Sequence, residues 1–405
     1  MKIGIFGGSF SPVHWGHINA ALAFYDQVGL DKLYIMPSRT PPHKKLDADS
    51  APQFRLDMLR LAFDERALSG RNIIISDFEL ERDTISYTVD TVEHFEREGE
   101  LFLLCGTDMF NSLETWYRAE RIFQLATIVL ARREEDMELD SSLTDRANGY
   151  RAAHGARVVI LPTKAYPISS SEIRTAIEKG EDTPHLPKSV EEYIHNKGLY
   201  GSTVVRTYLR QAVRPFLSEE KYAHSLSTEK MCDRLANGLK LTNNQRQQLC
   251  CGAILHDITK DCTHQEQLAL CEKHGIAMPP DQVDIPDAYH AQTGAYIARQ
   301  LFPHVVDEVV FHAIADHTCG RLGMGLISKL VFLADCLEEG RVGEKYQSPR
   351  QKLWSGIENN DPKIVDRVLL DILDRIKTEL LAKGKPIASG LYKICEELKK
   401  ALERN

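Results

Sequence analysis

A chain of 405 residues, 43% hydrophobic and 27% charged, has the composition of a soluble globular protein and the length for two or three domains, each able to bury a core without disulfides. A formal charge of -8 excludes duplex nucleic acid as the main partner, because such binding rests on many Lys and Arg at phosphates; a local basic pocket for a phosphorylated ligand is compatible with it. The first residues read as a strand rather than a leader, no apolar run could span a bilayer, and nine scattered cysteines lack a CxxC pair, so reduced thiols, no membrane, no cysteine-rich zinc site and a cytoplasmic setting are expected.

In chain order, residues 2–6 read as a strand, 17–28 as a helix and 33–36 as a second strand. Helices follow at 53–63 and 89–98, and strands at 73–77, 101–105, 126–131 and 158–161. This alternation predicts an α/β domain with a parallel sheet covered by helices. Residues 189–200 close it as a last helix and a short tail. From about Thr203 the periodicity is helical throughout, as at 245–255, 293–301, 305–315 and 327–337, with Pro279, Pro280 and Pro303 at segment edges. The expected division is therefore 1–202 and an all-α domain over 203–405.

The string Gly7-Gly8-Ser9-Phe10-Ser11-Pro12-Val13-His14-Trp15-Gly16-His17 follows the first strand directly. Glycines let backbone approach a phosphate, and a helix N-terminus offers unpaired N–H groups to an anion. A turn with two surface histidines would explain a lone Gly-Gly equally well, but not the whole string. Ser169 and Glu172 fit a capping box, which would open a second helix N-terminus with Arg174 one turn in. In the second half, His224, His256-Asp257, His290, His317 and Asp335 mostly lie beside apolar helical residues, where an unpaired polar group is costly. A shared metal centre would satisfy them all, and imidazole with carboxylate suits an octahedral transition metal better than structural zinc.

The first string resembles the H-x-G-H signature of the nucleotidylyltransferase superfamily, in its nicotinate-nucleotide adenylyltransferase form. Pro41-Pro42-His43-Lys44, Ser86-Tyr87-Thr88-Val89-Asp90-Thr91, Gly106-Thr107-Asp108 with Trp116, and Ile168-Ser169-Ser170-Ser171-Glu172-Ile173-Arg174 resemble that family's other landmarks in order. The resemblance implies a Rossmann-like fold, and adenylyl transfer from ATP, with Mg²⁺, to nicotinate mononucleotide. It assigns His14, His17, Lys44 and Arg174 to the triphosphate, and Thr84, Tyr87, Thr88 and Trp116 to the nicotinate side. Gly7, Gly8, Ser9, Phe10, Gly106, Asp108, Arg132, Ile168, Ser169 and Ser170 complete the implied substrate contacts.

The order H…HD…H…H…D resembles the HD-domain phosphohydrolases. His256-Asp257-Ile258-Thr259-Lys260-Asp261, the segments opening at His290 and His317, and Ala334-Asp335-Cys336-Leu337-Glu338-Glu339-Gly340-Arg341 resemble the YqeK-like branch, with Lys221 and Ser227-Thr228 as departures from it. That resemblance implies two transition-metal ions, iron above all, held by His224, His256, Asp257, His290, His317 and Asp335. It implies symmetrical hydrolysis of diadenosine tetraphosphate to two ADP, with Asp257 bridging and Lys260, Arg321 and Arg341 meeting the polyphosphate. Another HD nucleotidase, a cyclic-dinucleotide phosphodiesterase or a non-catalytic nucleotide-binding module stays open for this half. An acceptor of nicotinamide mononucleotide or phosphopantetheine type stays open for the first, as does a homo-oligomer.

Overall fold

A computed structural model describes the chain apart from residues 40–49, 65–69, 83–84, 132–136, 163–167 and 404–405, and apart from the side chains of 137–140. Lys44, Thr84 and Arg132 lie outside the described residues. The chain forms two compact units, Met1–Ile194 and His195–Asn405. No helix among the described residues is long and apolar enough to cross a membrane.

Six strands make the sheet of the first unit: β1 (Lys2–Gly8), β2 (Lys32–Pro37), β3 (Ile73–Ile75), β4 (Glu100–Gly106), β5 (Ala126–Ala131) and β6 (Val158–Ile160). They lie in the order β3-β2-β1-β4-β5-β6, and every pairing is parallel. Every residue of β5 is buried, as a parallel strand covered on both faces requires. Ile3, Ile5, Leu103, Ile128 and Leu130 pack with Val92, Phe95 and Phe123 from the helices. The strand order reverses between β1 and β4, which opens a crevice at the C-terminal ends of those strands. Gly7-Gly8 ends β1 there, and Gly106 ends β4 there, with Thr107-Asp108 following.

The helix Met137–His154 went unread in the sequence. It is largely polar, and among its described side chains the buried apolar stripe is Leu143, Ala147 and Tyr150, at helical spacing.

Helices and short 3-10 turns are the only regular elements among the described residues of the second unit. Leu330, Val331 and Leu333 of Leu326–Leu337 are the middle of one apolar cluster, with Leu249, Leu369 and Leu373 around them. Ile254, Leu255, Ala295 and Ile314 belong to another. Helix Asn243–Leu255 contributes to both, because its residues 249–255 are buried on every side.

Three helices of this unit meet at one carboxylate. Asp233 accepts from Arg246 Nε and Nη2, each at 2.7 Å, and from Arg206 Nη1 at 2.7 Å. Burial opposes its charge, but the two guanidinium groups win and hold its pKa at about 2. A depressed folded-state pKa stabilises the fold above the ordinary value of 3.8, and that contribution is lost as pH falls through about 2. Asp233 keeps some solvent contact, so the contribution is roughly 1 kcal/mol. Asp233→Asn is expected to be less stable than wild type to urea at pH 6 and to converge on it between pH 4 and pH 2. A stability gap that does not narrow over that range would show the pair to be without effect.

Candidate active sites

The first site is built on the turn after β1. A Cβ on Gly8, the last residue of β1, would meet the Phe10 ring at 3.0 Å, a contact tight enough that the ring would have to give way; a Cβ on Gly7 would meet nothing within 4 Å. Phe10, fully buried, stands edge-on to Phe6 and to His17, with ring centroids 5.2 and 5.0 Å apart.

The helix Trp15–Val28 then starts with a capping box made of imidazoles. His14 is the N-cap, and its Nδ1 accepts from Gly16 N–H at 3.1 Å. His17 is the third helical residue, and its Nδ1 accepts from His14 N–H at 3.3 Å. The spacing of the two histidines is thus the N-cap-to-N3 spacing of a capping box, with both roles given to histidine. An Nδ1 that accepts must lack a proton, so each neutral ring carries its proton on Nε2 and can donate from there.

The second capping box stands where it was expected. Ser169 caps Ser170–Lys179 and accepts from Glu172 N–H at 3.2 Å, while Glu172 accepts from Ser169 N–H at 2.8 Å. This helix is fastened to the first turn. Arg174 Nη1 donates to Ser11 O at 2.7 Å, and Ser170 Oγ donates to Pro12 O at 2.9 Å. Ile168 leads into the cap. Asp108 is exposed in the first turn of Thr107–Ser112, which Gly106 caps at the end of β4.

A cavity of about 610 Å³ opens beside the turn. Gly7, Gly8, Ser9, Tyr87, Thr88 and Trp116 line it. The sequence reading missed three further features of this region. Tyr117 packs against Tyr87 with the rings tilted by 38° and their centroids 4.6 Å apart. Arg55 has no exposed surface, and it donates from Nε to Ser50 O at 2.6 Å and from Nη1 to Ser9 O at 3.0 Å, fixing the turn from beneath. Glu79 lines the cavity as a buried carboxyl. An isolated charge in a helix or turn reads as a surface residue, so neither Arg55 nor Glu79 carried a sequence signal.

The second site gathers side chains from five helical segments. His224 comes from Glu219–Gly238, His256 and Asp257 from the end of Asn243–Leu255, His290 from Tyr289–Leu301, His317 from the end of Glu308–Asp316, and Asp335 from Leu326–Leu337. His224 Nε2 is 2.8 Å from Asp335 Oδ1. Asp257 turns Oδ2 toward His256 Nε2 at 3.4 Å and Oδ1 toward His290 and His317 Nε2 at 3.4 and 3.5 Å. His290 and His317 bring their Nε2 atoms within 3.0 Å of each other.

Backbone carbonyls set the tautomers. His256 Nδ1 is 2.7 Å from Ala253 O, and His317 Nδ1 is 2.6 Å from Ile314 O, so Nδ1 donates in both and the Nε2 lone pairs face inward. Glu338, also missed in the sequence, stands 3.3 Å from His224 Nδ1 and accepts from Ser227 Oγ and Gly340 N–H. It lies just past the end of its helix, in a run of charges that reads as solvent-facing.

The charge states suit a metal. Burial pushes His256 down and His290 down to about 4, so both are neutral ligands near neutral pH. Burial opposes ionisation of Asp257, yet the imidazoles of His256, His290 and His317 outweigh it and hold the carboxyl well below the usual range. Two overlapping triads, His224 with His256 and Asp335, and His256 with Asp257 and His317, each hold their ligand atoms within 4.8 Å. His256 Nε2 and Asp257 Oδ1 are buried without a hydrogen-bond partner. Orphaned lone pairs converging in this way fit a divalent metal.

A cavity of about 740 Å³ opens over these residues, lined by His224, Asp257, Lys260, His317, Asp335 and Arg341 among others. Lys260 Nζ lies 2.9 Å from His290 Nε2, and Arg341 Nη2 lies 3.3 Å from Asp335 Oδ1. Arg321, the third cation named for the polyphosphate, does not line this cavity. Gly320, at φ 70°, turns the chain away, and Arg321 Nε pairs with Asp316 Oδ1 at 3.2 Å in a separate cavity of about 500 Å³.

Comparison with known proteins agrees with this division. Residues 5–176 match the cytidylyltransferase-like family, and residues 222–340 match the HD domain. A probable nicotinate-nucleotide adenylyltransferase of Desulfatibacillum aliphaticivorans is 36% identical over 219 residues, covering 49% of this chain and all of that protein. A probable nicotinate-nucleotide adenylyltransferase of Clostridium botulinum (strain Eklund 17B / Type B) is 32% identical over 49% of this chain and 98% of its own length. A crystal structure titled as a predicted HD superfamily hydrolase involved in NAD metabolism, from Clostridium acetobutylicum, is 21% identical, with a TM-score of 0.43 over 48% of this chain and 97% of that one. The chain is an enzyme that belongs to the nicotinate-nucleotide adenylyltransferase family through its first half and carries an HD domain in its second.

Proposed function

We propose that residues 1–202 transfer the adenylyl group of ATP to nicotinate mononucleotide, and that residues 203–405 hydrolyse diadenosine tetraphosphate to two ADP. The observation that carries the first reading is the pair of histidines whose Nε2 protons are set by a capping box beside an aromatic-walled cavity. The acceptor phosphate attacks the α-phosphorus of ATP and pyrophosphate leaves, so no covalent enzyme intermediate is needed. His14, His17 and Arg174, with Lys44, stabilise charge on the triphosphate; Tyr87, Thr88 and Trp116, with Thr84, hold the nicotinate. Mg²⁺ bound to the phosphates of ATP would share in that charge stabilisation.

For the second unit the carrying observation is the set of buried, unpartnered lone pairs on His256 and Asp257. His224, His256, Asp257, His290, His317 and Asp335 would hold two transition-metal ions, iron the leading candidate, and the ions would polarise a phosphoryl oxygen and lower the pKa of water. Asp257 presents one oxygen to each side of the site. Lys260 and Arg341 supply positive charge to the polyphosphate, and Glu338 fixes the His224 ring. The test is one purified preparation assayed for deamido-NAD synthesis and against dinucleoside polyphosphates, nucleoside monophosphates and cyclic dinucleotides, with its metal content measured. Faster turnover of either of the last two substrates would replace the diadenosine tetraphosphate reading.

Acceptor choice gives a separate prediction. The helix Thr88–Phe95 begins at the cavity with no side-chain cap bond from its N-cap Tyr87, and while its Asp90 N–H bonds Tyr87 O at 3.1 Å, the N–H groups of Thr88 and Val89 are the donors it would offer a carboxylate. A site built for a charged group discriminates strongly against its neutral analogue, so kcat/KM for nicotinate mononucleotide should exceed that for the nicotinamide form by ~100-fold or more. Equal efficiency with both acceptors would remove the nicotinate assignment.

A further inference from the structure

The segment Ser86–Thr91 is short, and Tyr87 caps the helix that follows without a side-chain bond of its own. Something else must hold it in place if Tyr87 and Thr88 are to meet a ligand in one geometry. Two attachments come from the end of β2. Arg39 N–H donates to Ser86 Oγ at 3.0 Å, and Arg39 Nη1 donates to Leu80 O at 2.7 Å. The second bond ties the same residue to the turn 77–81, where Leu80 and Glu81 N–H groups close on Asp77 O at 2.7 and 3.1 Å. That turn carries Glu79.

Glu79 is buried and lines the cavity, and its Oε1 accepts the hydroxyl of Thr91 at 2.8 Å. Thr91 is itself 1% exposed, so its hydroxyl depends on this acceptor. Burial pushes the Glu79 carboxyl up, against the hydroxyls of Thr91 and Ser86 and the charges of Arg82 and Arg55, which pull it down. A buried carboxyl placed for solubility alone would face water. This one faces the segment that carries the nicotinate contacts, and it accepts the Thr91 hydroxyl from that segment's far end.

We propose that Glu79 is a positioning residue for the acceptor nucleotide: it anchors Thr91, as Arg39 anchors Ser86, and so sets the geometry in which Tyr87 and Thr88 receive the nicotinate ring. The inference rests on the adenylyltransferase reading above. A clamp on the acceptor side acts on nicotinate mononucleotide and leaves the triphosphate side alone, because Ser9 and Ser11 are held separately by Arg55 and Arg174.

The test uses the full chain, with KM for each substrate, kcat, and calorimetric binding of nicotinate mononucleotide alone. Glu79→Ala should raise KM and Kd for nicotinate mononucleotide by about tenfold or more, while KM for ATP stays within about twofold. Glu79→Gln keeps an oxygen for the Thr91 hydroxyl and should fall between the two. If Glu79→Ala does not fold, Thr91→Val removes one clamp bond at nearly constant volume, and the same acceptor-only rise is expected. Unchanged acceptor constants in a folded variant, or an equal rise for ATP, would overturn the clamp. A wild-type protein that neither binds nicotinate mononucleotide nor forms deamido-NAD would instead overturn the adenylyltransferase reading, and the clamp with it.

Discussion

His17→Ala should lower kcat for deamido-NAD synthesis by about 10²–10³-fold while leaving KM for ATP within about threefold. Negative charge grows on the departing pyrophosphate, so a donor aimed there acts in the transition state more than on bound ATP. His17 is prepared for that task by its own backbone. Its Nδ1 receives the His14 N–H, which assigns the ring proton to Nε2, and the rings of His14 and Phe10 pack on it at 3.8 and 5.0 Å. Alanine removes the donor, but it also removes half of a capping box, which costs about 0.5–2 kcal/mol. His17→Gln separates the two effects. Glutamine at the third helical position is an ordinary capping-box partner, so it should restore the stability lost in the alanine variant but not the rate. Measured in parallel by urea titration and steady-state kinetics, a variant with normal kcat and only weakened ATP binding would place His17 in ground-state binding instead.

The parts of this protein that the sequence made legible are those where one residue pattern admits one physical solution. Strands such as 126–131, apolar at nearly every position, fit a sheet covered on both faces, and the structure has that strand with the same limits. Isolated His and Asp residues in apolar helical segments demand a common partner, and the fold brings His224, His256, Asp257, His290, His317 and Asp335 together. What stayed hidden depends on direction. The H-x-G-H string was readable as a phosphate turn, but not as a capping box that sets two tautomers, because that needs the backbone path. Arg321 reads with Lys260 and Arg341 as a cation for the polyphosphate, and its pairing with Asp316 depends on a backbone path that the sequence does not display. Arg55 and Glu79 look like ordinary surface charges in sequence, and only burial marks them. The polar helix Met137–His154 escaped for the converse reason, since three core residues are too sparse a stripe to stand out.

Asp257→Ala should reduce hydrolysis by roughly three orders of magnitude and leave deamido-NAD synthesis almost unchanged. The carboxylate faces three imidazoles: His256 stands at Oδ2, and His290 and His317 at Oδ1. Without it, a dication in the site loses a charged ligand, and the Nε2 atoms of His290 and His317, 3.0 Å apart, lose the group that lies between them and the rest of the centre. Metal content should therefore fall together with hydrolysis. Asp257→Asn distinguishes charge from shape, because it keeps the volume and one oxygen; it should lose nearly as much metal as alanine if charge is what binds. Synthesis is expected to survive both changes. The first unit has its own core, every described residue of the triphosphate and acceptor sites lies before residue 195, and every proposed metal ligand lies after it. Stripping transition metal from the wild type and restoring Mg²⁺ alone should give the same split, synthesis returning and hydrolysis not. Circular dichroism on the Asp257 variants checks that the helices remain. If a folded variant loses synthesis as fully as hydrolysis, the sites are not independent, and a shared or strongly coupled centre must replace the two-site reading.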